Sequence, residues 1–224
     1  EGALELAAWE RTHEDNYYLL LLKAQRAAEA QKWEEAKVPL ARLVELYPQQ
    51  KGPSSAYRSL AAAHRALGDA AAERATLIAW AEVDDEATDA YLRLMEIGTA
   101  EKDWKMVARN ADRYLSVNPL VPPPYRHLAE ASLALDDQPS ATVALRTLIQ
   151  LDVPERTDAH YRLAELLNKR GDRDEARRHV LIALEETPRY REALRLLLEL
   201  NRGRADTSVI SPEPIEKLVP EVKR

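Results

Sequence analysis

Cysteine is missing from all 224 residues, which removes disulfide cross-links and thiolate metal sites from consideration. The absence is compatible with oxidising and reducing compartments alike. Phenylalanine is missing as well, and the six glycines, Gly2, Gly52, Gly68, Gly98, Gly171 and Gly203, all stand alone. A phosphate-cradling loop needs several glycines within one turn, so that chemistry is excluded. No apolar run approaches the roughly 18 residues that cross a bilayer; Leu19–Leu22 is a short patch. No signal peptide is visible. Because the chain opens on Glu1 rather than Met, it reads as a piece of a longer protein.

Charge of a single sign is missing too. Lys and Arg number 32 and Asp and Glu 38, for a formal charge of −6. Residues 1–100 carry 11 basic and 17 acidic side chains, while 101–224 carry 21 of each. Neither part offers the basic stripe that duplex binding requires, so no nucleic-acid partner is expected.

Catalytic and metal-binding signatures fail in turn. His13-Glu14 would need histidine at position 17 to make a zinc-peptidase helix, and that residue is Tyr17. The five histidines are scattered, with no second ligand three or four residues away. No strained nucleophile turn is present. Asp84-Asp85-Glu86 lacks the alternating oxygen ligands of a calcium loop and reads as solvated turn carboxylates. No catalytic residue, metal ligand or cofactor is expected.

What the chain does have is a repeat. Tyr57-Arg-Ser-Leu-Ala, Tyr91-Leu-Arg-Leu-Met and Tyr125-Arg-His-Leu-Ala are 34 residues apart, His160-Tyr-Arg-Leu-Ala follows after 35, and Leu194-Arg-Leu-Leu-Leu after another 34. Leu20 opens the series 37 residues before Tyr57, the extra residues falling at Gln49–Pro53. Between these landmarks apolar residues recur at helical spacing, as in Leu60, Ala61, His64 and Leu67. Gly68-Asp69 and Gly171-Asp172 supply a left-handed turn and a helix cap, with Lys102-Asp103 and Asp136-Asp137 in the same slot. Pro48, Pro119 and Pro188 then close their units. Each unit is therefore read as two helices of about 14 residues.

This pattern resembles the tetratricopeptide repeat (TPR), whose unit joins an aromatic, a Leu-small pair, a Gly-Asp turn, a second small residue and a closing proline. Residues 157–190 match best, through Leu163-Ala164, Gly171-Asp172, Ala176 and Pro188; the first unit matches through Ala24, Trp33, Ala36, Leu40 and Pro48. Two departures stand out. Glu73 occupies the place of a small inter-helix residue, and Val153-Pro154 shifts the fourth closing proline.

The resemblance implies an all-α fold, a right-handed α-α superhelix (TPR solenoid) of about five hairpins plus flanking helices. Its expected parts are the second helix of a truncated repeat at 1–15, units at 16–52, 53–86, 87–120, 121–155 and 156–188, a capping helix at 189–203, and an extended Pro-containing tail at 204–224. Trp9 is matched with Trp80. Ala24, Ala61, Ala129 and Ala164 should let paired helices approach, and Trp33, Tyr57, Tyr91, Trp104 and Tyr125 should fill space between units. In the tail, Val209, Ile210, Ile215 and Leu218 are expected to pack on the array or a neighbouring copy.

In this family the first helix of each unit lines a concave groove. Carried over, the inward row is Tyr18, Leu21 and Gln25, then Arg58, then Leu92 and Glu96, then Arg126 and Glu130, then Tyr161 and Glu165, then Arg195 and Glu199. Arg126–Glu130 and Arg195–Glu199 lie one turn apart and could pair on their own helices. The paired Asn and Lys of the subfamily that clamps a C-terminal carboxylate are missing, Asn168 being the only Asn near the row. The implied role is a non-catalytic scaffold binding a protein or peptide, with Arg58, Glu96, Arg126, Glu130, Tyr161, Glu165, Arg195 and Glu199 as candidate contacts. Two alternatives are carried: a helical accessory region of a larger bacterial enzyme, in style similar to arrays that follow metallopeptidase-like domains, and an oligomer-building module that self-associates through 204–224. The compartment stays open between bacterial cytoplasm and periplasm.

Overall fold

The computed structural model describes residues 8–151, 154 and 156–205. Among the described residues there are twelve helices and no strand. They fall into two compact units divided after Leu151. The first holds α1 (8–12), α2 (Tyr17–Glu29), α3 (Trp33–Leu46), α4 (Ala56–Ala66), α5 (Ala70–Val83), α6 (Thr88–Glu101), α7 (Trp104–Val117), α8 (Pro122–Ala134) and α9 (Gln138–Gln150). The second holds α10 (Arg156–Arg170), α11 (Arg173–Glu186) and α12 (Arg191–Ala205). None of the described helices is long and apolar enough to cross a membrane. The tail residues Val209, Ile210, Ile215 and Leu218, and with them the expected self-association, lie outside the described residues.

The hairpins α2/α3, α4/α5, α6/α7, α8/α9 and α10/α11 form by packing of consecutive helices. Within the first unit each second helix then packs on the next first helix, α3 on α4, α5 on α6 and α7 on α8; within the second unit α11 packs on α12. The turn inside every hairpin is built the same way. Gln31, Gly68, Lys102, Asp136 and Gly171 all have positive φ, between 56° and 87°. This left-handed residue ends one helix so that the next can start two residues later. Asp69, Asp103 and Asp137 then accept hydrogen bonds from the N–H groups of Ala72, Met106 and Ser140 at 3.1–3.2 Å. Asp172 sits in the same slot without that bond. Its carboxylate lies 3.5 Å from Arg170 Nε instead, drawn off by the neighbouring cation.

The core follows from small residues at fixed places. Ala24, Ala61, Ala129 and Ala164 are buried where paired helices meet. Fourth in their second helices, Ala36, Val107, Ala141 and Ala176 are fully enclosed. Opposite Val107 the first helix carries Gly98, where an added Cβ would stand 2.8 Å from Val107 Cγ2. Tyr57 and Tyr91 are buried, while Trp33, Trp104 and Tyr125 are half-buried. Each of these tyrosines also ties down the turn before its helix. Tyr57, Tyr91 and Tyr125 donate their hydroxyls to the carbonyls of Pro48, Asp84 and Pro119 at 3.0–3.2 Å. Trp9 does not share the setting of Trp80: it is 43% exposed and stacks on His13 with ring centroids 4.5 Å apart, whereas Trp80 is 4% exposed.

Candidate binding surface

The candidate row lies on first helices, and within the first unit it is a series of neighbouring polar groups. Arg58 on α4 is exposed and reaches Asp89 on α6, Nη2 to Oδ2 at 2.7 Å. Glu96 on α6 accepts from Arg93 one turn earlier at 2.8 Å. Arg126 and Glu130 on α8 are exposed on either side of His127. The His127 imidazole is within 3.1 Å of Thr99 Oγ1 on α6. Burial pushes its pKa below the ordinary value, Glu130 and Glu96 pull the other way, and Arg126 adds to the depression. The fields of Glu96, Arg126 and Glu130 thus converge on one ring between α6 and α8. Tyr18 on α2 is the most open aromatic of the row, 77% exposed.

In the second unit, Tyr161 donates its hydroxyl to Glu165 Oε1 at 2.6 Å, and its ring lies 4.9 Å from that of Tyr190. Burial first, and then this bond, raise the Tyr161 pKa well above the phenol range. Tyr190 donates to Asp158 at 3.2 Å and is pushed up to about 12, chiefly by burial. Glu199 on α12 accepts from Asn168 of α10 at 3.1 Å, so a neighbouring helix supplies its partner. Arg195, one turn before it, is exposed.

Three groups of weight escape a reading by residue type. Glu73 is 3% exposed yet holds two cations. Arg93 donates Nε to its Oε1 at 2.7 Å and Nη2 to its Oε2 at 3.2 Å, and Arg65 Nε stands 3.1 Å away. These carboxylates, Glu73 ahead of Glu96, hold the Arg93 proton more tightly than usual. The sequence shows Glu73 as an anomaly; its partners lie 8 and 20 residues away on other helices. Asp84 corrects the expectation of solvated turn carboxylates. It is 4% exposed, and its carboxylate accepts from the N–H groups of Gly52 at 2.8 Å and Glu86 at 3.1 Å. Burial pushes its pKa up, but these N–H donors and the charge of Lys51 outweigh it and leave it below the ordinary value. The extra residues 49–53 are therefore clamped to the α5–α6 turn. The third group is His160, whose Nδ1 lies 2.8 Å from Nδ1 of His179 across α10 and α11. Among the described residues no group of three or more His, Asp or Glu is placed to hold a metal ion.

Helices of 11 to 15 residues in hairpins, a left-handed turn residue, and a small residue at each crossing define the tetratricopeptide repeat fold. Solved structures share it. YrrB, a TPR protein with an unusual peptide-binding site, aligns with a TM-score of 0.61 at 13% identity, over 84% of this chain and 95% of that one. MamA aligns at 0.55 with 15% identity, over 78% and 94%. A MamA fragment running from residue 41 to the end, from Desulfovibrio magneticus RS-1, aligns at 0.52 with 19% identity, over 77% and 96%. No protein-family model matches the sequence, and no curated protein is similar to it in sequence.

Proposed function

We propose that this chain is a non-catalytic scaffold that holds a polypeptide segment on the exposed side chains of its first helices. The observation that carries this reading is the polar row itself: Arg58, Glu96, Arg126 and Glu130 in the first unit, Tyr161, Glu165, Arg195 and Glu199 in the second. These positions alternate donor forks, carboxylates and a phenol, the groups that recognise an extended chain bearing both charges. Arg58 is held only by an exposed surface pair with Asp89, worth at most about 1 kcal/mol. A ligand carboxylate can therefore take over an arginine at little cost. That YrrB, with the same fold, has a peptide-binding site supports the reading.

Two variants test it, one per unit: Arg58→Ala with Arg126→Ala, and Tyr161→Ala with Arg195→Ala. Each protein is immobilised and exposed to lysate, and what it retains is quantified by mass spectrometry. A partner held through the row should lose more than about 1 kcal/mol, roughly fivefold or more in Kd, with one variant or both. If every retained protein is held equally by all three proteins, the row is a solvated surface and the reading fails.

A further inference from the structure

The first hairpin departs from its successors along one stripe of its leading helix. In α4 the residues Ala56, Leu60 and Ala63 are buried in the same core as Leu40 and Leu43 of α3. The stripe recurs in α6 as Ala90, Leu94 and Ile97, and in α8 as Pro124, Leu128 and Ala131. Its equivalent in α2 is Leu19, Lys23 and Arg26. Leu19 is buried, but Lys23 and Arg26 are exposed, and among the described residues neither cation has a hydrogen-bond or ion-pair partner. The surface that elsewhere receives a second helix here presents two unspent positive charges.

Beside them the surface is hollow. One groove of about 720 Å³ is lined by Leu20, Lys23, Val38, Pro39 and His64, together with Lys37, Arg42 and the carboxylates of Glu14, Asp15 and Glu45, of which Asp15 and Glu45 are spent on Arg42. Another of about 530 Å³ shares Lys23, Val38 and Pro39 with it and continues to Arg26, Ala27 and Ala30. The other cations lining the two grooves are already occupied, Lys32 by Glu35 at 3.0 Å, Lys37 by Glu34 at 2.7 Å and Arg42 by Asp15 and Glu45. Two backbone and side-chain features leave polar atoms in the wall. The buried His64 Nδ1 has no hydrogen-bond partner. Pro39, inside α3, has no N–H to offer the carbonyl of Glu35 four residues earlier.

We propose that this α2–α3 groove takes an acidic amphipathic helix of a partner protein, its apolar side on Val38, Pro39 and Ala27 and its carboxylates at Lys23 and Arg26. An uncharged apolar helix would bury two cations without counter-charge, at a cost that apolar contact would not recover. An acidic one supplies the missing partners, and cations three residues apart match carboxylates one helical turn apart. The groove is separate from the candidate row. On α2, Lys23 and Arg26 lie about a third of a turn around the helix from Tyr18, Leu21 and Gln25.

The test uses the full 224-residue chain and a fluorescent amphipathic helical peptide with leucines along one side and glutamates flanking them, beside a twin in which lysines replace the glutamates. The acidic probe should bind, weaken as salt is raised, and shift the His64 ring signals in NMR spectra. Reversing both charges, Lys23→Glu with Arg26→Glu, should lower its affinity at least about tenfold and favour the basic twin. Lys23→Gln with Arg26→Gln, a milder change for folding, should give a smaller loss in the same direction. Equal binding of the two probes, or equal affinity of the charge-reversed chain with its circular dichroism unchanged, would overturn the proposal. So would a large gain in probe binding on deleting residues 1–7, which would make that segment the occupant. Concentration-dependent dimerisation abolished by the charge reversal would equally assign the groove to a second copy.

Discussion

At the scale of single residues, the most informative departure from the repeat is Glu73. Four of the five hairpins put Ala or Val at this place, and α5 puts a carboxylate there at 3% exposure. Its two arginines are not equally dispensable. The side chains of Arg65 and Arg93 keep 55% and 28% of their surface open to water, so either can turn outward if Glu73 is lost. Glu73 cannot follow, being enclosed between α5 and its neighbours. Removing Arg93, the closer and less exposed of the two, therefore leaves the buried charge with Arg65 alone, whereas removing the anion frees only cations that can reach water. Arg93→Ala should cost about 2–3 kcal/mol in stability and Glu73→Ala no more than about 1. The second change also restores the small residue found at Ala36, Ala141 and Ala176. Urea denaturation of both variants checks the order, and a larger loss for Glu73→Ala would show that the carboxylate is a net stabiliser in its own right.

At the scale of elements, the sequence carries the fold well because the repeat states each rule several times. Spacing of 34 residues, Gly-Asp turns and a Leu-small pair suffice to place paired helices, and the all-α TPR architecture is what the structure has. Non-glycine turns were legible only by register: Lys102 and Asp136 take the left-handed geometry that Gly68 and Gly171 adopt without strain. Contacts between distant positions were not legible. Nothing in Asp84-Asp85-Glu86 says that one acid of three turns inward to clamp Gly52, because that depends on an insertion 32 residues earlier. The candidate row rests on the family resemblance alone, and the contacts of its members are not in the sequence: the Asn168–Glu199 bond crosses helices and escapes an i to i+4 rule. The strain at Lys102 gives a prediction of its own. A left-handed non-glycine residue costs about 1 kcal/mol relative to glycine, partly offset by the greater freedom of glycine in the unfolded chain. Lys102→Gly should therefore raise stability by about 0.5 kcal/mol, read as a small increase in the urea midpoint at unchanged slope. A lower midpoint would mean that the Lys102 side chain contributes contacts beyond its backbone.

At the scale of the molecule, the division after Leu151 decides what should fold alone. A hairpin of this kind cannot hide its apolar stripe without a neighbour, so stability accumulates with each added interface. Among the described residues, 1–151 hold four complete hairpins, and buried residues of successive hairpins interleave in clusters. In one, Tyr57 and Ala61 of α4 join Leu77 and Trp80 of α5, Tyr91 and Leu94 of α6, and Met106 of α7. In another, Leu20 and Ala24 of α2 join Leu40 and Leu43 of α3 and Leu60 of α4. Every one of these contacts is internal to the first unit. Among the described residues, the second unit holds one hairpin and α12, a core small enough that independent stability is marginal. The fragment 1–151 should therefore show the helical circular dichroism of its share of the chain and melt in a single sigmoidal transition, while 152–224 alone should lose helicity gradually on heating. If 1–151 instead melts without cooperativity, its interleaved clusters depend on residues beyond Leu151, and the array has to be treated as one folding unit.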